Sequence, residues 1–305
     1  MNNNLENILF LFLIILIGFL AKKTRLVSDQ ARPVLSQFVL NVAMPFLILD
    51  SMMFDYDPQM LKNSMTILGI AIVVYAVAIL ISELSPRLWK LPPSHMASYH
   101  FGMVLPNTGF LGLPLLRVTY GAEAAFYGTM IHLVFIALNW TYGVYVFTRD
   151  EGSEVKLKDL INPSILSLFL GFLLFLLPIR LPNIVLRTIS SMSHTASPLT
   201  MFIIGMMLTE IRFKELFMSL KPVILALYRN VLFPLAVYFV LKSLHFSGPL
   251  LYVPTVIFGM PVAANTAIFA QGYGKDYQTA TKVVLVSTVL ALLTIPLLVE
   301  FVGMG

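Results

Sequence analysis

Apolar runs long enough to cross a lipid bilayer recur along the whole of this 305-residue chain. A helix needs roughly 17–25 mostly apolar residues to span the hydrocarbon core. The runs are continuous rather than alternating, which is typical of helices and not of membrane-spanning strands. Only 11% of the residues are charged, whereas soluble domains carry about 25%. The sequence therefore predicts an all-α polytopic membrane protein.

Ten transmembrane helices are predicted, with short loops between them. They cover residues 5–21, 31–52, 62–84, 95–117, 121–147, 161–179, 184–209, 221–243, 250–271 and 277–302. The most polar loop, TRDEGSEVKLKD, begins at Thr148 near the middle of the chain. This loop predicts a boundary between two halves, residues 1–152 and 153–305.

The positions of lysine and arginine predict the orientation in the membrane. About fourteen of the 20 Lys and Arg residues lie in loops after odd-numbered spans, and about five lie on the opposite side. Because cytoplasmic loops are enriched in these residues, the odd-numbered loops are expected to be cytoplasmic and both termini extracytoplasmic, in the plasma membrane. The net charge of +5 is small and spread over the loops, which fits a lipid surface and not nucleic acid.

The two halves share landmarks at one offset. A shift of 153 residues brings three pairs together: Gly18-Phe19-Leu20 on Gly171-Phe172-Leu173, Pro45 on Pro198, and Tyr120-Gly121 on Tyr273-Gly274. Five spans is an odd number, so the second half must enter the membrane inverted. Inverted five-helix repeats are typical of secondary transporters, whose sites lie at the repeat interface near the midplane. The alternative is a chance coincidence among apolar segments.

Spans 4 and 9, which correspond in the two halves, carry helix-breaking residues at mid-depth. Span 4 contains LPNTGFLGLP at residues 105–114, and span 9 contains GMPVAANT at residues 259–266. Proline removes a backbone donor and clashes with the preceding turn, and broken backbone at this depth must be buried or line a wet cavity. Free N–H groups and positive dipole ends of the half-helices would suit a carboxylate, while exposed carbonyls could hold a cation. The alternative is a pair of simple proline kinks.

These two stretches, together with VAMPFLIL in span 2 and the ten-span length, resemble the auxin efflux carrier family. That family includes bacterial malate, malonate and lactate carriers and plant auxin exporters, and the resemblance covers essentially the whole chain. It implies a fold like that of the sodium–bile acid symporters. Spans 1, 2, 6 and 7 would form a scaffold, and spans 3–5 and 8–10 a mobile transport core. Spans 4 and 9 would cross at the substrate site, and an elevator-like motion would give alternating access.

The resemblance also implies which residues bind substrate. The carboxylate is expected near the point where spans 4 and 9 cross. The matching positions here are Pro106, Asn107, Thr108 and Gly109 in span 4 and Pro261, Asn265 and Thr266 in span 9.

Four further polar residues lie inside predicted spans, and each has two interpretations. Asn41, four residues before Pro45, either bridges helices or shapes the cavity. Arg229 lies inside span 8, where an ionisable residue indicates function; it either contacts a substrate anion or snorkels to the cytoplasmic face. His132 and His100 are candidates for proton coupling, because imidazole titrates near neutral pH. Their alternative is a structural, hydrogen-bonded role.

The coupling ion stays open between Na⁺ and H⁺. No Asp or Glu falls at mid-depth in any predicted span, whereas the sodium sites of bile acid symporters use an acid near the span 9 break. Carbonyl, Asn and Thr oxygens could still hold Na⁺. The acidic run Asp55-Tyr56-Asp57 is interpreted as a solvated loop rather than a magnesium–diphosphate site. The chain has no cysteine, which excludes disulfides, iron–sulfur clusters and thiolate metal sites. Apart from the coupling ion, we predict no cofactor and no metal site.

The leading hypothesis is a secondary active transporter of small organic anions, mono- or dicarboxylates such as malate, malonate or lactate. The absence of a GxxxxGK[ST] motif argues against a primary pump. No acidic or metal-ligating constellation lies at one depth, so the chain is not expected to be an enzyme. The alternative is a membrane sensor or receptor that binds an organic acid without moving it. The expected partners are the carboxylate substrate, membrane lipid and a second copy of the chain in a homodimer.

Overall fold

A computed structural model describes residues 3–85, 91–149, 163–177, 181–209 and 219–303. The secondary structure of these ranges is helical, with short connections. Five of their helices are long and apolar enough to cross a membrane: Ala31–Ser51, Pro58–Leu84, Ala122–Thr148, Leu220–Ser243 and Tyr277–Gly303. The prediction of an all-α polytopic membrane protein is therefore confirmed. The predicted boundary between halves, at residues 152 and 153, lies outside the described residues.

The described residues of the first part of the chain form six helices. They are α1 (Asn3–Lys23), α2 (Ala31–Ser51), α3 (Pro58–Leu84), α4 (Pro93–Val104), α5 (Leu113–Tyr120) and α6 (Ala122–Thr148). A wider π-helical turn, Thr108–Gly112, leads into α5, and another, Val39–Ala43, lies within α2. Helix α3 begins at Pro58, four residues before the predicted span, because the Asp57 carboxylate accepts a hydrogen bond from Gln59 N at 2.8 Å and a proline occupies the first turn.

In the second part of the chain, the residues that the structure describes also form six helices. They are α7 (Pro163–Leu176), α8 (Asn183–Leu208), α9 (Leu220–Ser243), α10 (Pro249–Phe258), α11 (Asn265–Gly272) and α12 (Tyr277–Gly303). A π-helical turn, Tyr228–Leu232, lies within α9. The predicted spans 4 and 9 each correspond to two helices, α4 with α5 and α10 with α11. Every other predicted span corresponds to one helix.

Two helix pairs approach so closely that their contacts require small residues. A Cβ atom on Gly18 of α1 would lie 2.2 Å from the Phe202 carbonyl oxygen of α8, and one on Gly205 would lie 2.0 Å from that of Ile15. A Cβ atom on Gly171 of α7 would lie 2.9 Å from the Cβ of Met52, which follows α2. Small residues allow membrane helices to pack backbone against backbone. Helices α1 and α8 are therefore in direct backbone contact, and α7 packs closely on the end of α2.

Candidate functional site

Two apolar helical runs are interrupted inside the protein. Helix α4 ends at Val104, and the chain becomes helical again at Thr108. Helix α10 ends at Phe258, and α11 begins at Asn265. We call residues 105–109 the first break and residues 259–266 the second break, and each includes the first two residues of the helical segment that follows. Both fall at the proline-containing stretches from which the sequence predicted them.

The two breaks pair with each other. Pro106 and Val262 form an antiparallel bridge. Two backbone hydrogen bonds flank it, from Asn107 N to Pro261 O (2.7 Å) and from Ala263 N to Leu105 O (3.1 Å). Extended backbone that cannot bond within a helix thus finds its partners in the other break, which is what a low-dielectric interior requires. We call this paired segment, residues 105–107 with 261–263, the crossover.

Side chains of the first break point in two directions. The Asn107 side-chain oxygen accepts a hydrogen bond from Phe110 N at 3.2 Å and so caps the helix that follows. The buried Thr108 hydroxyl lies 2.7 Å from Nδ1 of His132 in α6. A Cβ atom on Gly109 would lie 3.2 Å from Cε1 of the same histidine. His132 therefore contacts the first break directly.

Side chains of the second break are tied to the protein instead. The Asn265 amide nitrogen donates to the side-chain oxygen of Asn139 in α6 at 3.0 Å. The Thr266 hydroxyl is fully buried and donates to the Ala263 carbonyl at 2.7 Å. Asn139 was not predicted as a site residue. The one signal that could have found it is an amide side chain within a long apolar run.

A cavity of about 510 Å³ reaches the crossover. Helices α2, α8, α11 and α12 form its walls, and Asn107 of the crossover lines it together with Phe110 and Ala264, which lie near the crossover in sequence. Most of its other lining residues are apolar; the polar ones are Arg32, Ser36, Gln37, Gln271, Tyr277, Thr281 and Thr288. No lining residue among the described ranges is Asp or Glu. Of the predicted site residues, Asn107 alone lines this cavity.

Unpaired backbone donors lie where the two breaks end. The N–H groups of Gly109, Ala264 and Asn265 have no acceptor within the described part of the chain. All three residues are half-buried, and Ala264 lines the cavity. N-termini of helices carry partial positive charge and bind anions through such groups. Together with Asn107, they form an arrangement that can hold a carboxylate.

Arg229 lies at the other ends of the broken helices. Its guanidinium is fully buried. Nε donates to Met260 O at 3.3 Å and Nη1 donates to Met103 O at 3.2 Å. The side chain also lies over the ring of Phe233 at 5.2 Å. Arg229 does not line this cavity, and its full burial excludes the alternative that it snorkels to the membrane surface.

The remaining predicted residues lie apart from the crossover. Asn41 is in the π-helical turn of α2 with an exposed side chain, and it does not line the cavity. His100 is buried, with Nδ1 at 2.8 Å from Ser82 Oγ and 3.6 Å from Glu83 Oε1. The Tyr142 hydroxyl donates to the same glutamate at 2.8 Å. His100 thus belongs to a polar cluster that joins α3, α4 and α6.

Broken helices that meet beside a cavity in a multi-pass membrane protein are typical of membrane transporters. A family model described as Membrane transport protein matches residues 4–156 and 147–299. The chain belongs to this family, and its resemblance to the auxin efflux carriers is confirmed. The family and its relatives are transporters and not enzymes.

Three relatives align over nearly their full lengths. A protein from Methanocaldococcus jannaschii named as an uncharacterized transporter is 23% identical over 304 residues, which cover 96% of this chain and 97% of the relative. A transporter of the same description from Methanothermobacter thermautotrophicus is 26% identical over 298 residues, 96% of each chain. A Rhizobium meliloti protein, provisionally named a malonate transporter, is 23% identical over 305 residues, 96% of this chain and 94% of the relative.

Proposed function

We propose that the protein is a secondary active transporter of small organic anions, mono- or dicarboxylates such as malate, malonate or lactate. The observation that carries this proposal is the set of unpaired N–H groups at Gly109, Ala264 and Asn265 beside the cavity-lining Asn107. Helix N-termini carry partial positive charge, and the two that follow the breaks are held together by the hydrogen bonds of the crossover. The provisional name of the Rhizobium relative agrees with a carboxylate as the substrate.

The electrostatics of the cavity favour an anion. A carboxylate accepts several hydrogen bonds at once, and the N–H groups of the two breaks supply donors that are already fixed in place. Asn107 uses its amide oxygen as a helix cap, which leaves its NH₂ group to donate. The described lining has no carboxylate to repel the substrate, and Arg32 adds a positive charge at the beginning of α2.

The proposed mechanism is alternating access by an elevator-like motion. Helices α1, α2, α7 and α8 would form the scaffold, and the other helices would form the transport core. The close contact of Gly18 and Gly205 has a counterpart in that of Gly171 and Met52. A shift of 153 residues relates Gly18 to Gly171 and Met52 to Gly205, which supports two inverted five-helix repeats. A homodimer built through the scaffold belongs to the same proposal.

The proposed orientation places both termini outside the plasma membrane. The cavity extends to Arg32, Gln271 and Tyr277, at helix ends on the side rich in lysine and arginine. On this orientation the conformation is open to the cytoplasm. A coupling proton would have His132 as its carrier, because that imidazole is bonded to Thr108 in the first break.

Flux in liposomes tests the proposal. Purified protein would be reconstituted, and uptake of radiolabelled malonate, malate and lactate would be followed under separate pH, Na⁺ and voltage gradients. The Asn107→Ala, Asn265→Ala double variant is expected to lose uptake, and Asn183→Ala, at an exposed position, is the matched control. Uptake unchanged in the double variant would refute the site. Carboxylate-dependent thermal stabilisation without any flux would instead identify a sensor.

A further inference from the structure

Broken membrane helices create carbonyl ends as well as N–H ends. The last carbonyls of a helix have no partner within it and carry partial negative charge. Helix α4 ends at Val104 and α10 ends at Phe258, so the crossover brings two such ends together. In transporters with broken helices, exposed carbonyls of this kind coordinate the coupling cation.

In this protein the side chain of Arg229 already donates hydrogen bonds to carbonyls of this kind. Met103 O lies in the last turn of α4, and Met260 O lies two residues beyond the end of α10. Arg229 donates to both, at 3.2 Å and 3.3 Å. A single guanidinium therefore bonds to the last turn of α4 and to the unwound backbone just beyond α10, and we call these two carbonyl groups the carbonyl ends of the broken helices.

The charge of Arg229 has no carboxylate partner among the described residues. A fully buried cation is costly unless opposite charge compensates it. The two carbonyl ends and the ring face of Phe233, 5.2 Å away, supply the negative potential. The guanidinium group thus lies in the region of negative potential that a bound metal cation would otherwise occupy.

We propose that Arg229 is a resident cation that replaces a coupling metal ion at the carbonyl ends of the two broken helices, so that carboxylate transport does not depend on Na⁺. The inference rests on the proposed function. A Na⁺ ion bound by Met103 O and Met260 O would have to displace the guanidinium, since like charges repel strongly at such short range in a medium of low dielectric. Arg229 is then a positioning residue for the crossover and not a substrate ligand.

The first test compares cations in the wild-type protein. Initial uptake of the labelled carboxylate would be measured in Na⁺, K⁺ and choline media of equal ionic strength. We expect the three rates to agree. A wild-type rate that requires Na⁺ would overturn the inference while leaving carboxylate transport intact.

The second test removes the guanidinium and supplies it again. In choline medium Arg229→Ala is expected to lower uptake at least about tenfold, because two buried carbonyls lose their donors. Guanidinium ion or Na⁺, added at millimolar concentration, is expected to restore the rate, whereas urea, which is neutral and of similar shape, is not. Arg229→Lys keeps the charge and should remain independent of Na⁺. Arg187→Ala, at an exposed position, should not respond to guanidinium.

Two further outcomes are decisive. A folded Arg229→Ala variant that neither Na⁺ nor guanidinium rescues would show that the arginine is a structural brace only, and the inference would fail. If the wild-type protein moves no carboxylate, the proposed function fails, and melting temperatures decide the inference alone. Na⁺ and guanidinium should then raise the melting temperature of Arg229→Ala and leave that of the wild type unchanged; stabilisation of the wild type by Na⁺ would contradict the inference.

Discussion

The two breaks have similar sequences but different surroundings. Each contains a proline followed by an Asn-Thr pair. In the first break Asn107 lines the cavity and caps its own helix, and Thr108 bonds to His132. In the second break Asn265 is bonded to Asn139, and Thr266 bonds to nearby backbone. The first break therefore offers a side-chain donor to a ligand, whereas the second offers mainly backbone donors.

Asn107→Asp should have the largest effect. A carboxylate at this position can still accept the hydrogen bond from Phe110 N, and negative charge at a helix N-terminus is favourable by about 0.3–1 kcal/mol. It removes the NH₂ donor, however, and repels an anionic substrate at a cost of several kcal/mol. We expect carboxylate uptake to fall about a hundredfold with no drop in melting temperature. Uptake within a few-fold of the wild type would place the substrate elsewhere.

Thr108→Val and Thr266→Val make the same substitution in each break, and together they test whether the two breaks contribute differently to transport. The first removes the hydroxyl that pairs with His132, a buried hydrogen bond worth about 1 kcal/mol, or about fivefold in rate. The second removes a hydroxyl that bonds only to a local carbonyl, so a smaller loss of uptake is expected. The measurement is the initial rate at several pH values, where Thr108→Val alone should shift the profile. Equal effects of both variants would remove the distinction between the breaks.

Asn265 and Asn139 should behave as one unit. Because their side chains are bonded to each other, Asn265→Ala and Asn139→Ala are expected to be non-additive in a double-mutant cycle of thermal stability. The coupling energy should be about 1 kcal/mol. The control cycle pairs Asn107→Ala with Asn139→Ala and should be additive. Additivity in both cycles would show that the second break is not held by this pair.

The smallest effect concerns the anchoring of α5. Arg117 of this helix forms an ion pair with Asp50 at the end of α2 and donates to Ser51 Oγ at 3.2 Å. Partly exposed ion pairs contribute about 1 kcal/mol or less, so Asp50→Asn should change uptake by no more than about threefold. In the elevator proposal this pair links scaffold to core and must break during each cycle. Asp50→Asn should therefore speed the exchange of labelled carboxylate. Equally slower exchange in Asp50→Asn and Asp50→Ala would contradict the expectation that this ion pair must break in each cycle.

Local sequence predicted the helices and their breaks because the cause of each is local. Apolar length predicts a span, and proline within it predicts an interruption. The offset between Asn107 and Asn265 differs from that of the other repeat landmarks, so it could not predict that Pro106 would face Val262. The sequence also could not predict which residues Arg229 contacts. Membrane spans look alike in sequence, and contacts between distant helices depend on rotation about each axis, which an almost uniformly apolar surface does not specify.

The reciprocal hydrogen bonds of the crossover, between Asn107 and Pro261 and between Ala263 and Leu105, bind the two breaks into one body. In an elevator motion such a body carries its donors with it, so the substrate keeps the same ligands on both sides of the membrane. Equal ligands imply nearly equal dissociation constants at the two faces. The carrier would then have no built-in direction: the gradients of substrate and of any coupled ion, together with voltage, would decide between import and export. Labelled substrate would exchange against an unlabelled pool even when net flux is zero.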